Sequence, residues 1–166
     1  MVTTWKIIIW QQFGAAIDML ENAMRACPDE LWYDRSRQPE FWYLVFHTLF
    51  FLDFYLSEAE AGFVPPAPFT LDELDPAGIM PERPYTKDEM QTYLEYGRQK
   101  CRKKINALTD GQVSQRCAFD TPEVTVAELL LYNMRHVQHH TAQLNLILRQ
   151  VVDEAPRWIR KTNTTI

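Results

Sequence analysis

Only five glycines occur in 166 residues, too few for the tight two-residue turns of a hairpin-rich β fold. Helices are the expected element. The three cysteines, Cys27, Cys101 and Cys117, are odd in number and widely spaced, which fits neither a disulfide framework nor a C-x-x-C metal site. They read as buried or idle thiols. Long runs of lysine or arginine are missing and the formal charge is −5, so the chain lacks the basic face that nucleic-acid binders turn to phosphate. Two shorter basic clusters, Arg98 to Lys104 and Arg157 to Lys161, read as solvated helix faces.

Apolar runs are short. FWYLVFHTLFFLDFYL, from Phe41 to Leu56, carries His47 and Asp53 and falls short of the ~20 residues a membrane helix needs. The N-terminal stretch MVTTWKIIIWQQFGAAIDML has its apolar run broken by Gln11 and Gln12 and no small-residue cleavage site, a poor fit to a signal peptide. A soluble, cytoplasmic protein is expected, with neither nucleic acid nor membrane as a partner. The length suits one domain spanning 1–166, able to bury roughly two-thirds of its unfolded surface.

What the chain has is apolar and aromatic mass: 46% hydrophobic and 13% aromatic residues, enough to rule out a disordered chain. From Trp5 to Ala26 apolar residues recur at three and four, the pattern of an amphipathic helix that Pro28 stops. The linker DELWYDRSRQ leads to Pro39, whose fixed φ suits the first turn of a second helix running to about Ser57. Nearly every face of that helix is apolar and needs cover, which a partner subunit could supply. Six of the ten prolines fall between Glu58 and Tyr85, which predicts a long crossover loop in place of a helix. Thr86 with Glu89, and Thr125 with Glu128, are capping-box pairs that open a third helix ending near Thr109 and a fourth ending near Val151. The expected architecture is all-α: a four-helix bundle with one long crossover between helices two and three. After Pro156, Trp158 and Ile159 are expected to dock, and the final TNTTI to fray.

All four histidines lie on two of these helices: His47 on the second, and His136, His139 and His140 on the fourth. At 100° per residue, His136 and His140 are about 40° apart and about 6 Å along the axis, so both rings can reach one ion. The same arithmetic places Leu129, Tyr132, Asn133, Gln143 and Ile147 around them in a stripe expected to face the core. His139 diverges by about 100° from His140 and is expected at the rim or surface. Around His47 the same rule gathers Tyr43, Phe50, Phe51 and Phe54. Catalytic zinc commonly takes three protein ligands and leaves one position open, and His47, His136 and His140 fill that description. Position 137 is Val, so the H-E-x-x-H protease signature is absent. Asn133 and Gln143 could orient the imidazoles, or simply hydrogen-bond between helices. Asp53 points about 120° away from His47 as a helix-end or interface partner, and Glu40 aligns with His47 two turns earlier as a minor ligand candidate.

Three segments, PEFWYLVFHTLFFLDFYL, TKDEMQTYL and TVAELLLYNMRHVQHHTAQLNLILRQ, together with the CPDELW turn, resemble the DinB-like helical-bundle family over residues 1–150. The resemblance implies a four-helix bundle, often a homodimer, holding a divalent metal, commonly zinc or nickel, on three histidines; here these are His47, His136 and His140. Where many relatives read H-R-G-Q, this chain reads His140, Thr141, Ala142, Gln143: the Gln is kept and the Arg-Gly is not. The resemblance implies either a thiol-dependent transferase, using a low-molecular-weight thiol cosubstrate on a small electrophile, or a metal-dependent hydrolase of a small molecule. A non-catalytic, stress-related binding or dimerisation module is the alternative.

Overall fold

The structure is a computed structural model that describes residues 4–120 and 122–166. Its helices are α1 (Thr4–Ala26), α2 (Asp29–Trp32), α3 (Phe41–Tyr55), α4 (Lys87–Ala107), α5 (Asp110–Val113) and α6 (Val126–Val152), with a 3-10 turn at Asp72–Leu74. The expected helices one to four are α1, α3, α4 and α6. Among the described residues there is no strand, only an isolated bridge between Arg116 and Thr125.

Both capping boxes form. Thr86 accepts from the Glu89 amide and Thr125 from the Glu128 amide, while each glutamate reaches back to the threonine N–H; orphan amides at both helix starts are thereby satisfied. A third box, Thr109 with Gln112, opens α5. This turn ends α4 at Ala107, two residues before the expected Thr109. Pro39 lies outside α3, ahead of its N-cap Glu40, and the linker after Pro28 folds into the one-turn helix α2.

α6 packs against α1 and α3, and α4 packs against the same two helices from the other side. The shared interior holds Trp10, Phe13, Trp42, Phe46, Tyr93 and Leu144, each 1% exposed or less. Cover for α3 comes from its own chain. Phe63 and Phe69, between α3 and α4, are buried, Phe63 edge-on to Phe54 at 5.1 Å and Phe69 stacked on Tyr93 at 4.2 Å between centroids. Eleven of the fifteen α3 residues are buried within one chain, leaving Tyr43, His47, Phe51 and Tyr55 half-buried along one side.

The C-terminal segment reverses two expectations. Trp158 stays 66% exposed, whereas Thr162 is buried, because the backbone of TNTTI docks on α1. The Thr162 amide donates to the Gln11 carbonyl at 3.0 Å and the Trp10 indole N–H donates to the Thr164 carbonyl at 2.9 Å. Gly14 makes this possible: a Cβ there would stand 2.5 Å from the Thr162 methyl. No helix among the described residues is long and apolar enough to cross a membrane.

Candidate metal centre

The α3–α6 interface brings His47, His136 and His140 together. His136 Nε2 lies 3.3 Å from His47 Nε2. Ring centroids are 5.2 Å apart for His47 and His136, 4.7 Å for His47 and His140, and 4.5 Å for His136 and His140. One nitrogen from each ring falls within 4.8 Å of the others. Two imidazole nitrogens bound at 2.0–2.1 Å to a tetrahedral ion sit about 3.4 Å apart, so the 3.3 Å pair already has the spacing of a shared ion.

Two of the rings are held from behind. His47 Nδ1 is 2.7 Å from Glu73 Oε2; a carboxylate accepts, so Nδ1 carries the proton and Nε2 keeps its lone pair toward the cluster. His140 Nδ1 is 2.7 Å from Gln143 Oε1, which fixes the same tautomer. His136 Nδ1 is buried without a hydrogen-bond partner. Three imidazoles at this spacing are a donor set that fits a divalent metal. These three residues could hold a metal ion.

Burial disfavours the charged form of His136 and His140. Burial first, then the neighbouring His140, His47 and His139, pushes His136 down to about 3. Burial also lowers His140, with Gln143 opposing. Beside them the Tyr43 hydroxyl is pushed up by burial and by Glu73. Phe51 stands 4.9 Å from the His47 ring and 5.6 Å from His136, and Tyr55 lies 6.4 Å from His136. Tyr43 completes the surround at 6.5 Å. Phe50 and Phe54 turn away to pack on Phe63. The His47 side chain remains 26% exposed, so solvent reaches the cluster.

The remaining sequence candidates fall elsewhere. His139 is exposed at the rim, its ring 5.0 Å from His140. Gln143 orients His140, but Asn133 donates to the Leu52 carbonyl at 3.0 Å as an interhelical tie. Glu40 accepts from the Trp42 indole at 2.6 Å and pairs with Arg35, leaving none of its reach for His47. Asp53 is fully buried against α4, bonded to Lys100 and to the Tyr93 hydroxyl. The buried stripe of α6 runs through Leu130, Asn133, Val137, Thr141, Leu144 and Leu148. Its centre is therefore rotated from the expected one: Tyr132 and Gln143 are exposed, and the histidines line its edge.

Glu73 is the residue that periodicity missed. It sits in the 3-10 turn of the crossover with its side chain 4% exposed, and a loop acid has no spacing rule that ties it to a helix 26 residues earlier. The only hint was an acid in a loop long enough to cross the α3 surface.

Residues 12–144 match the sequence model of the DinB superfamily. Comparisons with curated proteins and with solved structures returned no match. The match takes in all three histidines and most of the chain, and the protein belongs to the DinB superfamily.

Proposed function

We propose that this chain is a single-domain four-helix bundle with one long crossover, which binds one divalent metal, zinc or nickel, through His47, His136 and His140. It uses that metal as an enzyme acting on a small molecule. The observation that carries this reading is the convergence of three imidazoles, two of them with Nδ1 held from behind by Glu73 and Gln143. A divalent ion there would supply Lewis acidity toward water or a thiolate. The protein's own part is to hold the rings, disfavour protonation of His136 and His140 by burial, and leave a solvent-facing side for substrate.

Two reactions share this chemistry: transfer of a low-molecular-weight thiol to a small electrophile, and hydrolysis of a small molecule. Metal-loaded protein incubated with an electrophile and bacillithiol, mycothiol or glutathione, followed by mass spectrometry, separates them. Metal-dependent thiol conjugation supports the transferase, and substrate cleavage without thiol loss supports the hydrolase. Turnover of neither class, with metal retained, would favour the non-catalytic binding or dimerisation module. A cytoplasmic location and a homodimer complete the proposal. Support for the dimer comes from Leu131 and Leu146, exposed about 60° apart around α6.

A further inference from the structure

A cavity of about 660 Å³ opens where the C-terminal end of α3, the second half of α4, the α5 turn and the first turns of α6 meet. Its volume is that of a small-molecule site. No histidine lines it, although Tyr55, whose ring is 6.4 Å from His136, forms part of its wall. The floor is apolar: Leu56, Leu108, Phe119, Leu129 and Leu130 are all buried.

The wall inverts the charge of the molecule. Acidic residues outnumber basic ones 22 to 17 in the chain, yet the cavity presents Lys100, Lys103, Lys104 and Arg116 against Glu58. Arg102 and Lys103 are exposed as the sequence suggested, but Lys100 and Lys104 are not. Lys100 folds inward onto Asp53 and Ser57, and Lys104 donates to the Leu56 and Ser57 carbonyls at 3.1 and 2.8 Å. Both thereby cap the C-terminal end of α3. Burial pushes the Lys104 ammonium below its ordinary range, with Glu58 opposing and Lys100 adding to the fall.

Counting partners sets the ligand's charge. Asp53 balances Lys100 and Glu123 balances Arg116, so Lys103 and Lys104 face Glu58 with one positive charge in excess. We infer that this cavity binds a small organic monocarboxylate, its apolar body on the leucine and phenylalanine floor and its carboxylate against Lys103 and Lys104. The inference goes beyond the metal reading and stands without it, because the lining supplies charge and apolar surface with no metal present.

The test is a proton–nitrogen correlation titration of the full-length, metal-free protein with 4-phenylbutyrate, its neutral amide and phenyl phosphate. Shifts should map to residues 99–119 and 126–130, and the carboxylate should bind about tenfold or more tightly than the amide, as expected for charge-assisted contacts. Lys103→Glu, at an exposed position, should abolish binding while the remaining spectrum is unchanged. Equal binding of acid and amide, shifts mapping elsewhere, an unaffected variant, or binding of none of the three compounds would overturn the assignment. Tighter binding of phenyl phosphate would overturn the single-charge count and with it the carboxylate.

Discussion

At the residue scale the account rests on nitrogen atoms with a reason to point inward. His136→Ala and His140→Ala should each abolish stoichiometric metal uptake, whereas His139→Ala, at the exposed rim, should retain most of it; elemental analysis of the purified variants reads the difference. Glu73→Ala should weaken metal affinity by about 10–100-fold, as losing the partner behind a ligand imidazole does elsewhere, with Glu73→Gln in between. Unaltered affinity in both would show that Glu73 serves only to anchor the crossover. His136 also carries a pH signature in the metal-free protein. Its imidazole binds a proton near 6.5 when unfolded and only near 3 when folded, so the unfolded state holds more protons across that window. Stability should therefore rise with pH from about 3 to 6.5 and level off above, and the urea midpoint of wild type compared with His136→Gln isolates the effect. The histidine triad was legible in the sequence because helical spacing places His136 and His140 on one side. Glu73 was not, because a proline-rich loop has no period from which to project a side chain.

At the scale of elements, the helix starts were the most legible feature, since a threonine followed by glutamate three residues later names its own hydrogen bonds. Thr86→Ala and Thr125→Ala should each cost about 1 kcal/mol of stability by urea unfolding. Glu89 is pushed down to about 2, by Arg83 first and then by Thr86. Its contribution is present above the ordinary 4.5 and is lost as pH falls through about 2; Glu89→Gln should flatten that acid limb. Helix ends were less legible. Leu108 ends α4 early because Thr109 already belongs to the next capping box. Of the stripe expected on α6, Leu129, Asn133 and Ile147 are buried but Tyr132 and Gln143 are exposed, and the polar Asn133 and Thr141 face the core. Asn133 does so by donating to the Leu52 carbonyl, Thr141 by donating to its own helix at Val137.

At the scale of the whole molecule, the segment between α3 and α4 and the C-terminal segment both pack on the helices. Proline density marked 58–85 as free of a long helix, and only a 3-10 turn forms there, but only long-range packing puts Phe63 and Phe69 against the helices. The C-terminal segment docks through backbone hydrogen bonds to α1, which no side-chain pattern announces. Gly14→Ala should displace it, since the added methyl meets Thr162; faster amide exchange at Thr162 with unchanged exchange in α3 would register the loss. A strictly monomeric mass at micromolar concentration would remove the dimer and leave the metal site untouched. The central claim is most directly tested by X-ray absorption at the metal edge of the protein as purified. Three imidazole nitrogens at about 2.0–2.1 Å and no sulfur scatterer are the predicted result; sulfur in the first shell, or no stoichiometric metal to give an edge, would contradict it.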